Sequence, residues 1–274
     1  RLEWEEKGIK ICGQRLNHLR YADVIVLITD KKEELFEMMK ELDIEAGKIG
    51  LNMNYSKTKI ITNTDEDITM RIGQDEIEQV HDYIYLGQII KLNKENQTAE
   101  IKRRVRLAWA AFGKLSYILK NKRYPQHLKT KVYNQCVLPV LTYGSQTWTF
   151  TKANMDKIIK TQRGMERQML HIKLLDKKRN EWIREKTKVR DVRQEVAKLK
   201  WRFAGHTIRQ KEDRWNKILI NWRPWQYKRS RGRPQMRWAD DVKKHVGSRW
   251  ITVATDREEW KRIGEAYVRW TEEG

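Results

Sequence analysis

The chain has 274 residues, a net charge of +21, 39% hydrophobic residues and 35% charged residues. That length allows one large domain or two modest ones with cores of their own. No run reaches the roughly 18 apolar residues of a membrane span, and with only Cys12 and Cys136 neither a disulfide scaffold nor a zinc knuckle can be built. The two cysteines point to a reducing compartment and to no disulfide-linked partner. Charge is unevenly spread. Residues 1–92 carry 13 Lys/Arg against 18 Asp/Glu, residues 93–176 carry 17 against 5, and residues 177–237 carry 21 against 6. A basic stretch of that kind, holding many of the chain's twelve Trp and ten Tyr, suits a nucleic-acid strand. No basic helix has the clean apolar face of a membrane-surface helix. The start, Arg1-Leu2-Glu3-Trp4, is too polar for a signal peptide and reads as a cut inside a longer protein.

In chain order, Ile9 and Ile11 alternate with Lys10, Gly13 supplies a turn, and Val24-Ile25-Val26-Leu27-Ile28 is β-branched and apolar. This predicts a β-hairpin with Asp23 at its tip. Asp30-Lys31-Lys32-Glu33 predicts a capping box. Leu35, Met38, Met39, Leu42, Ala46 and Ile49 then give a helix over 31–48 that exits at Gly50-Leu51 in a Schellman turn. Short strands follow over 59–63, 68–72 and 77–85. Thr98 is placed to cap a helix whose stripe is Ile101, Val105, Ala108, Phe112, Leu115 and Leu119, with Lys102, Arg103, Arg104 and Arg106 on its outer side. Further helices are predicted over 126–137, ending or kinking at Pro139, then 152–170, 191–206, 235–246 and 257–270. The fold class is α+β, divided softly near 92 and 175 into 1–92, 93–175 and 176–274. A helical bundle whose Lys/Arg faces only meet solvent fits the same residues.

Several motifs stand in a fixed order. Tyr21-Ala22-Asp23-Val24 resembles the Tyr-Ala-Asp-Asp box of reverse transcriptases. Its approach through Gly8-Ile9-Lys10-Ile11 and Leu19-Arg20 resembles that of non-LTR, LINE-type retrotransposons. Gly50-Leu51-Asn52-Met53-Asn54 through Lys57-Thr58-Lys59 resembles the next polymerase motif, and Tyr85-Leu86-Gly87 the primer grip. Leu138-Pro139-Val140-Leu141-Thr142-Tyr143-Gly144 and Arg231-Gly232-Arg233-Pro234-Gln235-Met236-Arg237-Trp238 resemble the C-terminal part of such elements. The resemblance covers almost the whole chain. It implies the end of a polymerase palm over 1–92, a helical thumb over 93–175 and a basic nucleic-acid-binding region over 176–274. The implied activity is RNA-directed DNA polymerisation with Mg²⁺, deoxynucleotides, RNA, DNA and RNA–DNA hybrid as partners, in nucleus and cytoplasm.

The resemblance also assigns roles. Asp23 is the metal-binding catalytic carboxylate, and Lys57 the proton donor to departing pyrophosphate. Tyr85, Leu86 and Gly87 grip the primer. The family's second Asp is Val24 here, and its first catalytic Asp has no counterpart, so the expected chain binds template and primer without a complete active site. Asp30 and Asp82 are further carboxylates whose spacing does not tie them to Asp23. By residue type alone, Asp23 also fits an ordinary turn. Lys57 also fits a solvated loop, and Tyr85-Leu86-Gly87 a plain hairpin. Arg231-Gly232-Arg233-Pro234 has the core of an AT-hook, in which Arg side chains enter a narrow minor groove. Lys228, Arg229 and Arg237 add phosphate-binding charge, and Lys228-Arg229-Ser230-Arg231 also has the form of a nuclear-import cluster. Trp215, Trp222, Trp225 and Trp238 fit either base stacking or a core.

Overall fold

The computed structural model describes residues 2–64, 66–149, 151–222 and 236–273. Two compact units divide the chain, Arg1–Asn96 with Glu212–Tyr227, and Gln97–Lys211 with Lys228–Gly274. The architecture is mixed α and β, with small sheets and one long helix before residue 91 and only helices among the described elements after it.

The first unit opens with two separate hairpins where one was expected. Strand β1 (Ile9–Ile11) pairs with β2 (Gln14–Leu16), and β3 (His18–Tyr21) pairs with β4 (Val24–Leu27), both antiparallel. The cause is local. Cys12 and Gly13 both take positive φ, +49° and +84°, which closes a two-residue turn at once. The turn expected at Gly13 is present, but it pairs β1 with β2 in a hairpin of its own rather than leading into the one that ends at Asp23. Helix α1 (Lys32–Lys48) follows. The capping box expected of Asp30 and Glu33 is absent, because the N-cap position falls on Lys31, whose side chain makes no cap bond; Thr29 Oγ1 accepts from Lys31 N at 3.1 Å, and Glu34 accepts a hydrogen bond from the Gly8 backbone amide. Its exit is the expected Schellman turn. Leu51 N reaches Ala46 O at 3.0 Å and Gly50 N reaches Gly47 O at 3.1 Å, with Gly50 at φ +76°.

Past α1, β5 (Lys59–Ile60), β6 (Met70–Ile72) and β7 (Asp75–Gln79) form a sheet ordered β5-β7-β6, with β5 and β7 parallel. The single strand expected over 77–85 is broken. After Gln79 the chain starts a separate hairpin, β8 (Tyr83–Tyr85) with β9 (Gln88–Ile90). Met39 of α1 packs with Ile60, Met70 and Ile77, backed by Leu27, Leu35 and Phe36.

The second unit is helical. Helix α2 (Asn96–Lys114) starts two residues before Thr98, and the predicted stripe does face inward. Ile101, Ala108, Phe112 and Leu119 are buried with Tyr133, Leu141, Ile158, Met165 and Val196. After α3 (Ser116–Leu119), the helix expected over 126–137 is α4 (Gln126–Val132) running into a π-helical turn, Tyr133–Val137, and then α5 (Leu138–Thr142). Pro139 lacks an N–H and would crowd the carbonyl four residues back, and the wider turn directly before it relieves both problems. The Arg190 guanidinium takes the Asn134 carbonyl at 3.3 Å. Helix α6 (Lys152–Met169) is capped by Thr151. Helices α7 (Asn180–Thr187) and α8 (Val192–Ile208) follow, the latter capped by Asp191. In the first unit lies α9 (Trp215–Asn221). The second resumes with α10 (Asp240–Val246), α11 (Trp250–Thr255) and α12 (Arg257–Glu273).

Helices α8 and α12 are joined by a reciprocal contact. The indoles of Trp201 and Trp260 stack with centroids 3.8 Å apart and planes 8° off parallel. Trp201 Nε1 donates to Trp260 O at 2.8 Å, and Trp260 Nε1 donates to Trp201 O at 3.0 Å. Each ring lies over a glycine four residues along the partner's helix. A Cβ on Gly205 would fall 2.4 Å from Trp260 Nε1, and one on Gly264 2.5 Å from Trp201 Nε1. Beside the pair, Lys200 is fully buried with its Nζ 2.8 Å from both Asp241 oxygens, and Tyr267 donates to Asp241 at 2.9 Å.

Replacing a helical glycine by alanine ordinarily gains up to about 1 kcal/mol. Overpacking costs roughly 1–3 kcal/mol, and at 2.4–2.5 Å the clash wins. Gly205→Ala and Gly264→Ala should each lower the urea midpoint, whereas Gly113→Ala in α2, with open space around its Cβ, should hold or raise it.

Candidate functional site

Asp23 lies in the two-residue turn between β3 and β4, where Tyr21 and Val24 are paired. Its side chain is exposed, and so is that of Tyr21. Ala22 before it holds φ +51°. The strand before the tip is anchored at its other end. His18 sets its ring edge-on to Trp4 at 5.6 Å and its Nδ1 2.6 Å from Asn17 Oδ1. Burial, and then the Arg20 charge, push the His18 pKa down. Asp30 is exposed beyond β4. Asp82 is exposed as well and pairs with Lys91 at 3.2 Å. Among the described residues no group of three or more His, Cys, Asp or Glu side chains is gathered that could hold a metal ion. Two hard cations want bridging carboxylates. A single exposed Asp beside the apolar Val24 does not fit that demand.

Lys57 is exposed in a compact turn built on Asn54, whose side-chain oxygen accepts from Lys57 N at 3.1 Å. Tyr83 of β8 donates to the Lys57 carbonyl at 3.4 Å, which ties this turn to the next hairpin. That hairpin turns through Leu86 and Gly87 at φ +45° and +76°. Both positive values are what a two-residue type I′ turn needs, but a leucine held there costs about 1–2 kcal/mol. Two of the predicted tips therefore carry a strained non-glycine residue, and such strain concentrates at working sites.

The basic residues divide. Arg106 is exposed. Arg103 leans on Glu100 at 3.6 Å. Arg104, expected on the outer side of α2, is buried. Its Nε bonds the Glu100 carboxylate one turn back and its guanidinium lies 4.4 Å from the Tyr143 ring centroid. A buried arginine spent on a carboxylate and an aromatic face is not offered to a phosphate. Arg237 is exposed, with its backbone amide on Asp240 at 2.7 Å. Lys228, Arg229, Arg231 and Arg233, with the AT-hook and import-cluster readings and Trp225, lie outside the described residues. Trp238 takes the core alternative. Its Nε1 donates to Gln146 O at 2.7 Å, and its ring meets Phe203 and the Lys200 ammonium.

A charged knot had no pointer in the sequence. Arg163 joins Glu166 and Asp191, and Thr187 Oγ1 donates to Glu166 at 3.3 Å, all buried. Burial pushes the Glu166 pKa up against the pull of Arg163. Arg163 and Glu166 stand at helical i,i+3 spacing, but Thr187 and Asp191 join them from 21 and 28 residues along the chain, separations that no helical period reveals.

The folded residues thus define an α+β protein, strand-rich first and helical later. Compared with known proteins, the chain is 36% identical over 273 residues to a transposon-derived protein of Caenorhabditis elegans, across 93% of this chain and 97% of that relative. The chain belongs to that family of transposon-derived proteins. No protein-family profile matches it, and no solved structure matches it. Among the described residues no helix is long and apolar enough to cross a membrane.

Two outcomes follow for the hairpins. Leu86→Asn places a residue tolerant of positive φ in the turn and should raise stability by about 1 kcal/mol in urea unfolding; an unchanged or lowered midpoint would show that the turn is not strained. The depressed folded pKa of His18 means the unfolded chain binds its proton more readily. Its contribution is full above about pH 6.5 and is lost as pH falls through the folded value. The stability gap between the parent and His18→Gln should narrow over that interval.

Proposed function

We propose that this transposon-derived chain comes from the reverse transcriptase of a non-LTR retrotransposon. It would correspond to the end of the palm over 1–92, the thumb over 93–175 and the basic C-terminal region over 176–274. In this reading it binds RNA, DNA and RNA–DNA hybrid in nucleus and cytoplasm and does not polymerise by itself. The observation that carries the reading is Asp23, exposed at a hairpin tip within the Tyr-Ala-Asp-Val segment of a chain whose relative is transposon-derived. The positions of Lys57 and of Tyr85-Leu86-Gly87, each on a turn of the same unit, support it. Arg103, Arg106, Arg237 and the Lys228, Arg229, Arg231 and Arg233 segment would supply phosphate contacts.

Mg²⁺ enters as the ion of the family's reaction, where paired ions hold the phosphate oxygens and lower the pKa of the primer hydroxyl. Val24 withholds the second carboxylate such a pair needs. That same residue favours a second reading, in which the chain is a non-enzymatic nucleic-acid-binding protein kept from a decayed or domesticated element.

Primer extension on an RNA template with Mg²⁺ or Mn²⁺, run on the chain and on Val24→Asp with hybrid binding followed in parallel, tests both. The expected result is binding by both proteins, with affinity falling steeply with salt, and extension by neither. Extension by the unmodified chain would overturn the non-catalytic reading. No binding at low salt would overturn the nucleic-acid reading itself.

A further inference from the structure

Five of the chain's tryptophans, Trp4, Trp148, Trp201, Trp250 and Trp260, are buried. Trp182 on α7 is the one exposed tryptophan among the described residues, at 36%. Helix α7 turns Ile183 and Thr187 into the protein, where both are fully buried. At about 100° per residue, Trp182 and Lys186 share the flank beside that buried row. The Lys186 Nζ lies 5.8 Å from the Trp182 ring centroid. The Lys178 Nζ, reaching in from just ahead of the helix, lies 5.5 Å from the same centroid. Both lysines are exposed, and among the described residues neither takes part in an ion pair. Glu181 and Glu185 fall on the row that faces away from the buried side, and neither pairs with these lysines.

Two ammonium groups gathered on one ring repel each other, and no carboxylate offsets the repulsion. The ring holds them weakly, because a cation–π contact at an exposed site is worth less than a base stacked on the same ring. A stacked base would release both ammonium groups to the phosphates on either side of it, where each forms charge-assisted hydrogen bonds. The surrounding segment, 173–190, carries eight Lys/Arg against three Asp/Glu. Arg184 and Arg190 are taken up by Asp191 and Glu195, each at 3.5 Å. The charge left over complements a polyanion. A membrane surface asks for a broad apolar face, and Trp182 is the one large apolar side chain that α7 does not bury. A duplex keeps its bases stacked on one another, so an exposed ring favours a single strand.

We propose that Trp182 stacks a base of a single-stranded nucleic acid while Lys178 and Lys186 bind the phosphates on either side of it. The inference rests on the nucleic-acid-binding reading and gives it a contact on α7, which none of the sequence motifs includes.

The test uses the full chain and fluorescein-labelled oligothymidine, with anisotropy read across a salt series. Trp182→Ala should weaken binding about tenfold, and Trp182→Phe, which keeps a ring, should stay within about threefold of the parent. Lys178→Ala/Lys186→Ala should weaken binding about tenfold at low salt and lower the salt slope by about 1. Lys198→Ala, at an exposed lysine on α8, should leave affinity and slope at the parent values. A DNA duplex of the same length should bind the parent and Trp182→Ala equally. Parent-like binding of oligothymidine by Trp182→Ala or by the double lysine variant would overturn the stacking site while the nucleic-acid reading stands. An equal loss on strand and duplex, the mark of a ring that only supports the fold, would do the same, as would binding of duplex but not of oligothymidine. Failure of the parent to bind either nucleic acid would overturn both readings. Binding to phosphatidylserine vesicles but to neither nucleic acid would overturn the ligand class.

Discussion

The second unit depends on two indoles lying flat on each other. Trp201 and Trp260 stack at 3.8 Å and trade hydrogen bonds to each other's backbone. A buried Trp brings a large apolar surface together with one polar N–H that must find a partner. Here each ring satisfies the other's demand, and Gly205 and Gly264 give up their side chains so that the helices can close. Tyr267 lies 4.7 Å from Trp201 and also hydrogen-bonds Asp241, the partner of the fully buried Lys200. The indole contact thus fixes the helix positions that make a buried ion pair tolerable. Such a pair offsets its desolvation only when the geometry is good and further hydrogen bonds complete it.

Much of this was legible as periodicity and little of it as chemistry. The stripe from Ile101 to Leu119 and the Gly50 exit of α1 follow from spacing and from a single glycine; the exit is present as read, and the stripe faces inward although the helix expected to carry all of it ends at Lys114 and Leu119 lies on α3. The twin Trp-x-x-x-Gly segments, 201–205 and 260–264, are plainly written in the sequence. Their meaning is pairwise, and neither copy announces the other. A tryptophan among lysines and arginines reads equally as a stacking platform, and only the three-dimensional contact shows that Trp201, Trp238 and Trp260 are spent on the protein itself. Arg104 misleads in the same way. Its helical phase is near the edge of the apolar stripe, and Glu100 one turn back draws it inward.

The hairpins teach a complementary point about turns. Cys12, Ala22 and Leu86 hold positive φ without being glycine or asparagine, so the turns at Gly13 and Asp23 are legible from the residues around them while the strained residue within each is not. At Asp23 and at Tyr85-Leu86-Gly87 these strained turns coincide with the motif positions that resemble a polymerase.

The π-helical turn at 133–137 has a consequence for the face that α5 shows. An α-helix advances about 100° per residue. A turn that holds one residue more than an α turn shifts the phase of everything after it by that amount. Leu138 and Leu141 are fully buried beyond it, and Tyr133 and Val137 are fully buried within it. Regular winding through this stretch would rotate the leucines away from the side where the tyrosine lies. The wide turn therefore works as a phase corrector, letting one continuous helical rod keep its apolar seam pointed at the same core on both sides of Pro139.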